Sequence, residues 1–305
     1  MAGIESVAWR SLDFSSSSAR VSSTRGALLI KREDCDDVRV PLADVAVILF
    51  GVKTSISGGV MHHCFENDVS VVFCDWKGVP LGAAMPWSEH SRVAARQRAQ
   101  ASATLPQVKQ AWANIVSAKI RGQAEVLKQI GSPVEKQLIR LVKEVKSGDS
   151  SNCEAQAAKL YWDALFGHLD FRRKPGVISA CSPNDLLDYG YTILRGHAMR
   201  AVVSAGLSPA LGVFHKGRSN NFCLADDLIE PFRPLIDLKV ATELVGADIE
   251  DAKVRKALVE TAGQVFGCVE NSIPAEMTAL AQRLGMFFER NVSNLVVKHW
   301  KPKRV

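Results

Sequence analysis

The segment MPWSEHS, residues 85–91, separates two stretches of different composition. Before it, runs rich in Val, Ile and Leu (ARVSS 19–23, ALLIKR 27–32, VRVPL 38–42, VAVILFG 45–51, VSVVFCDW 69–76, VPLGAAM 79–85) alternate with Gly, Ser, Asp and Pro. Branched side chains suit a pleated, half-buried surface and the intervening residues suit turns, so this half is expected to be β structure. Within it, ISGGVMHHCFEND, residues 56–68, reads as one short helix packed on the sheet. After the segment, Ala, Gln, Leu, Lys and Arg dominate and Gly and Pro fall mainly at breaks, which predicts helices. The expected fold is therefore α+β in two domains, residues 1–87 and 88–305. A chain of 305 residues is long enough for two cores, since single cores stop growing near roughly 250–300 residues.

Composition narrows the function classes. With 47% hydrophobic and 23% charged residues the chain is a folding one. The seven cysteines (Cys35, Cys64, Cys74, Cys153, Cys181, Cys223, Cys268) are odd in number and form no C-x-x-C pair, which argues against a structural zinc site and for a reducing, cytoplasmic setting. No apolar run approaches the length of a membrane span, and the N-terminus lacks the apolar core of a signal peptide. The net charge of +6 is unevenly placed: Met85 to Ser147 holds eleven basic and four acidic residues, leaving the remainder near neutral. Such a segment suggests a track for a polyanion or a solvated helical surface.

Two helices can be read closely. In PVEKQLIRLVKEVKSG, residues 133–148, Leu138, Leu141, Val142 and Val145 form a core face opposite Lys136, Arg140 and Lys143. In SNCEAQAAKLYWDALFG, residues 151–167, Glu154 shares a face with Ala158, Tyr161 and Leu165, so its carboxylate is expected to point inward. In the segment 263–291, Phe266, Met277, Leu280, Leu284, Phe287 and Phe288 are either a core stripe or partly a subunit contact. The basic end KHWKPKRV, with Lys298, Lys301, Lys303 and Arg304 around Trp300, is expected to be mobile until it meets a polyanion.

Three segments carry candidate chemistry: that around Glu154, LSPALGVFHKGRSNNF around His215, and LADDLIEPFRP around Asp227 and Glu230. Each has a plain structural reading. Ser151 to Glu154 and Asp227 to Glu230 both have capping-box spacing, and His215 after an apolar run fits a hydrogen-bonded core histidine. Pro234 would kink or end a regular helix, so something beyond helix propensity shapes LIEPFRP. Taken together, two carboxylates and one imidazole suit Mg²⁺ or Mn²⁺, and such an ion stabilises charge on a phosphodiester under attack.

The three segments, in this order, with AKIRGQAEVL (118–127), SPNDLLDYGYTILRGHAMRAVVSAGLSPALGVFH (182–215) and DDLIEPFRPLID (226–237), resemble the CRISPR-associated spacer-acquisition integrase family, specifically its type II branch. Ala155 stands where other branches often have Gly. The resemblance implies an N-terminal β-sandwich, an α-helical C-terminal domain, Glu154, His215 and Glu230 as ligands of Mg²⁺ or Mn²⁺, and Asp227 supporting them. It also implies transesterification of a DNA 3′-hydroxyl into a repeat array, and homodimers bridged by a small second acquisition protein, with type II effector proteins as possible further partners. The residues themselves leave open whether His215 is a ligand or a proton carrier, and whether the enzyme joins strands or cuts branched DNA; a noncatalytic DNA-binding scaffold is the reading from a different class. Arg172, Arg173, Lys174, Lys216, Arg218 and Arg233, with Lys136, Arg140 and Lys143, are the candidate phosphate contacts on double-stranded DNA.

Overall fold

The computed structural model describes residues 10–15, 17–32, 35–74, 80–84, 86, 93–169, 171–174, 176, 182–267 and 271–302. The chain forms two compact units, Met1–His90 and Ser91–Val305. The 87/88 boundary expected from composition lies outside the described residues.

The first unit is built on two four-stranded sheets. Strands β1 (Arg10–Phe14), β5 (Val45–Phe50), β7 (Ser70–Cys74) and β8 (Pro80–Ala84) lie in that order in one sheet, and β4 (Cys35–Pro41), β3 (Ala27–Arg32), β2 (Ala19–Thr24) and β6 (Thr54–Ile56) in the other. The pairing is mixed: β1 with β5, β5 with β7 and β2 with β6 are parallel, whereas β2–β3–β4 and β7–β8 are antiparallel. Helix α1 (Gly58–Glu66) supplies Val60 and Cys64 to a core shared with Val21, Leu28 and Ile30 of one sheet and Phe14, Ile48 and Val71 of the other. The six runs read as strands all contain one; β1 and β6 were not anticipated.

The second unit contains α2 (Val93–Ala101), α3 (Leu105–Gln129), α4 (Glu135–Glu144), α5 (Cys153–Phe166), α6 (Pro183–Ser204), α7 (Cys223–Ile229), α8 (Arg233–Glu243), α9 (Ala252–Gly263) and α10 (Ile273–Phe288). Its starts are chemically marked. Thr104 and Gln107 form a capping box at α3, and the side chains of Ser182, Asp251 and Ser272 accept from backbone amides at the starts of α6, α9 and α10. Helix α6 packs against α7, α8, α9 and α10, while α3 packs against α4, α5 and α8. On α4, Leu138, Leu141 and Val142 are buried, whereas Lys136, Arg140 and Lys143 are exposed.

Several expectations need correction. Phe266, Met277, Leu280, Leu284, Phe287 and Phe288 are all buried within the chain, so they form core and leave no surplus stripe for a subunit contact. Most of the basic segment is surface, since Arg98, Lys109, Arg121, Lys128, Lys136, Arg140, Lys143 and Lys146 are exposed, but two of its cations are not. Arg96 is buried, donates to the Ala205 carbonyl at 2.7 Å and faces Glu289 at 3.4 Å, and Lys119 is also enclosed. The C-terminal segment is packed as far as Trp300, with Lys301 and Pro302 exposed: Leu295 and Trp300 are buried, and Lys298 pairs at 3.0 Å with Glu276, a buried carboxylate that also needs Arg283. Lys303 and Arg304 lie outside the described residues, as do Cys181 and Cys268; the five described cysteines are free thiols. Among the described residues no helix is long and apolar enough to cross a membrane.

Candidate active site

Glu154 sits in the first turn of α5, but not as a capping partner. Asn152 takes a left-handed conformation (φ 53°) and turns the chain so that the Asp149 carboxylate accepts from the amides of Cys153 at 2.8 Å and Glu154 at 3.0 Å. Asp149 thereby satisfies the helix start. Ser151 instead donates to the Glu144 carbonyl at 3.0 Å. The Glu154 carboxylate is thus released to project toward α3, where its Oε1 lies 2.6 Å from Lys119 Nζ.

Glu230 arrives from the other direction. Helix α7 ends at Ile229, Glu230 occupies its C-terminal cap, and α8 starts at Arg233 with Pro234 in its first turn, where a missing amide hydrogen costs little. The prolines of LIEPFRP therefore break the chain at Glu230, and Asp227 lies in the middle of α7, so the second capping box is also absent. Helix α3 comes close at this break because Gly122 has no Cβ; one added there would stand 3.1 Å from Pro234 Cγ. Lys119, one turn before Gly122, consequently lies 2.7 Å from Glu230 Oε2. A single ammonium bridges two carboxylates 76 positions apart in sequence.

Electrostatics follow from this enclosure. Burial disfavours the Lys119 charge, but Glu230 and Glu154 outweigh that and raise its pKa. Burial likewise opposes the Glu230 charge, and Arg233 and Lys119 overcome it and hold its pKa below the usual glutamate range. Arg233 Nη2 is 3.1 Å from Glu230 Oε1, and its guanidinium lies 4.6 Å from the centre of the Tyr191 ring. Arg233, a candidate phosphate contact, is in this structure occupied by Glu230.

His215 lies on the loop between α6 and α7 and is held by Asp227. The fully buried Asp227 carboxylate accepts from the backbone amides of Val213, Phe214 and His215 and from His215 Nδ1 at 2.8 Å. Gly212 makes this wrap possible, since a Cβ there would fall 2.3 Å from the His215 carbonyl oxygen and 2.9 Å from Asp227 Oδ2. With Nδ1 on Asp227, the tautomer leaves Nε2 as the lone-pair nitrogen. The Asp227 hydrogen bond raises the His215 pKa, and Glu230 is near enough to add to it.

Beneath the site, Tyr161 of α5 donates to Asp237 of α8 at 3.1 Å, and Tyr191 of α6 donates to the other oxygen of the same carboxylate. Burial pushes Asp237 up to about 6 against the pull of these hydroxyls, Arg233 and Arg173. Arg173 is tied to Asn184 at 2.9 Å and to Asp188, whereas Arg172, Lys174, Lys216 and Arg218 are exposed.

The residues from 14 to 257 match the model of the family described as CRISPR associated protein Cas1. The chain belongs to the Cas1 family. A protein from Neisseria meningitidis serogroup C (strain 8013), named CRISPR-associated endonuclease Cas1, is 38% identical over 234 residues, covering 76% of this chain and 75% of its own. The fold is shared with a casposase bound to integration product (TM-score 0.78, 18% identity, 97% of this chain and 96% of the other) and with a chain of a partial Cas6-RT-Cas1–Cas2 complex (TM-score 0.59, 18% identity, 96% and 99%). In this Cas1, sequence reasoning overlooked Lys119, Asp149 and Asp237. Lys119 had a visible signal: it falls in the stripe Ile115, Val116, Gly122, Gln123, Val126, a cation on a buried helix face.

Three potential metal ligands lie elsewhere, on α1 of the first unit. His62 Nε2 and His63 Nδ1 stand 3.2 and 2.8 Å from the two oxygens of Glu66. Among the described residues this is the group whose three donor atoms lie within 4.8 Å of one another. Glu154, His215 and Glu230 are held by Lys119 and Asp227 instead.

Proposed function

We propose that this Cas1 is a spacer-acquisition integrase of the type II branch, joining the 3′-hydroxyl ends of captured double-stranded DNA into a repeat array. The observation that carries the reading is the convergence of Glu154 and Glu230 on one point, with His215 presented alongside by Asp227. Two hard oxygen donors and one imidazole nitrogen, charged or oriented by neighbours, fit Mg²⁺ or Mn²⁺ better than structural zinc. Glu154, Glu230 and His215 through Nε2 would hold the ion, with Lys119 leaving the gap between the carboxylates. A bound ion supplies charge neutralisation at the phosphodiester and polarises its oxygen.

In the transfer, the incoming 3′-oxygen forms a bond to phosphorus, the bond from phosphorus to the repeat-strand 3′-oxygen breaks, and the attacking hydroxyl's proton ends on the departing oxygen. No bond to the protein is needed. Asp227 fixes the His215 ring, and Arg233 keeps the buried Glu230 ionised. The exposed cations Arg172, Lys174, Lys216, Arg218, Lys136, Arg140 and Lys143 are assigned to phosphate contacts. The partners proposed with this function are DNA, a second copy of the chain, the small Cas2 protein that accompanies Cas1 in a structural neighbour, and type II effectors, in the cytoplasm.

The deciding assay is joining of labelled DNA into a repeat-bearing plasmid by wild type and Glu154→Ala. Loss of joining in the variant with DNA binding retained supports the integrase reading. Full joining by the variant refutes the site, and cleavage of branched DNA without joining replaces the integrase by a nuclease using the same residues.

A further inference from the structure

Beside His215 stands a ring that neither the core nor the metal site uses. Phe214 is 52% exposed, against 37% for Phe65 and Phe73, yet it is held in place. Its inner face lies flat on Trp112 of α3, with centroids 4.2 Å apart and planes 5° from parallel, and Trp112 is itself only 2% exposed. Its amide donates to Asp227 at 3.1 Å, and the His215 ring meets it edge-on at 5.6 Å. An exposed phenylalanine with a free backbone can lower its exposed apolar area by lying down on the surface. This one is fixed from below by an indole and from behind by a buried carboxylate, so its outer face stays open to solvent.

We propose that Phe214 is a stacking platform for an unpaired nucleobase of the DNA strand whose phosphodiester reacts at His215. The proposal rests on the integrase reading above and adds a residue that positions the substrate. An aromatic face accepts any base, because every base has a π-face, and stacking needs no hydrogen-bond code. The surroundings favour a polyanion over an apolar protein partner: Lys216 and Arg218, two and four residues further along the same loop, are exposed cations suited to the phosphates flanking the stacked base. A base must leave its own stack to reach such a platform, so strand ends and overhangs are favoured over continuous duplex.

The test uses the full chain and a duplex with a short 3′ overhang carrying 2-aminopurine at an unpaired position. Wild type should quench the fluorophore on binding, and Phe214→Tyr should retain the quench. Phe214→Leu, which keeps apolar bulk over Trp112, should lose it and bind the overhang about tenfold more weakly while the affinity for blunt duplex is unchanged. Salt dependence of binding should be the same for all three, because no cation is removed, whereas Lys216→Gln should flatten it by roughly 0.7 log unit for one single-strand phosphate contact. Thermal unfolding of each variant verifies the fold. Equal quenching and affinity for Phe214→Leu and wild type overturn the platform while leaving the integrase reading intact. A wild type that neither binds nor joins DNA removes both, and Glu154→Ala, which should quench as wild type does, separates the platform from the metal site.

Discussion

Replacing Lys119 by Met deletes one charge and keeps most of the side-chain volume, and the structure sets how much that should cost. Lys119 Nζ is 2.6 Å from Glu154 and 2.7 Å from Glu230; the Glu230 side chain is 3% exposed and that of Glu154 24%. Removing one member of a buried ion pair costs about 3–5 kcal/mol, because the remaining charge stays desolvated without a counterion. The lower end applies, since Arg233 still holds the other Glu230 oxygen at 3.1 Å and Glu154 can turn toward water. At about 3 kcal/mol, and roughly 2–4 °C per kcal/mol for a unit of this size, Tm should fall by about 6–12 °C in EDTA near neutral pH. The sign against pH follows from Glu230, whose pKa is lowered in the fold. Its stabilising contribution is present above the unfolded glutamate value and is lost as pH falls through the folded one, so the defect should shrink in acid. Mn²⁺ should raise the Tm of Lys119→Met more than that of wild type, because no ammonium has to leave. An unchanged Tm in EDTA at neutral pH would falsify the role of Lys119 as counter-ion, and an equal Mn²⁺ response would show that ammonium and metal do not share a place.

The other expectations are more direct. Glu154→Ala should abolish strand joining and retain DNA binding in a gel-shift assay, since affinity comes from many distributed cations. Mg²⁺ or Mn²⁺ should support the reaction and EDTA should stop it; undiminished turnover after thorough chelation rejects the hard-ion assignment. Trp300→Ala should lower stability by about 3–5 kcal/mol in urea unfolding, because a buried aromatic is lost, and a neutral result would return the C-terminal segment to a solvated tail. Burial, with Arg200 adding to it, pushes the His197 imidazole down to about 3, so its contribution is whole above pH 6.5 and is lost as pH falls from there toward 3. Stability should decline by up to about 1.4 kcal/mol per pH unit in that window, and His197→Gln should flatten the decline.

The parts of the fold legible in the sequence were those whose pattern is local. Runs such as VAVILFG carry their branched side chains in one place, and α4 displays both faces within ten residues. Strands β1 (RSLDF) and β6 (TSI) lack such runs; they form because β5 and β2 offer edges to pair with, which a reading of neighbours along the chain does not reveal. Caps failed for a related reason. Ser151 and Asp227 had the right spacing, but Asp149 reached the α5 amides first through a left-handed turn, and Asp227 was taken by the loop of His215. Glu154, His215, Asp227 and Glu230 became candidates through family motifs, whereas Lys119 is a single residue whose place appears only when α3, α5 and the α7–α8 break meet.

That meeting explains how so acidic a cluster is tolerated in the folded chain. Glu154, Asp227 and Glu230 bring three carboxylates together, two of them almost fully buried, and an uncompensated cluster of this kind would oppose folding. Lys119 and Arg233 return two positive charges, and the third carboxylate, Asp227, is held by the backbone amides of Val213, Phe214 and His215 and by His215 Nδ1 at 2.8 Å. The chain's own cations and the hydrogen bonds to Asp227 thus offset much of the cluster's charge. Each compensating group is also attached differently. Arg233 is anchored over Tyr191 beside the break that carries Glu230, while Lys119 reaches the carboxylates from α3 on a four-carbon stem. An arginine that keeps Glu230 ionised and a lysine on a four-carbon stem between the carboxylates would together suit the metal site proposed above.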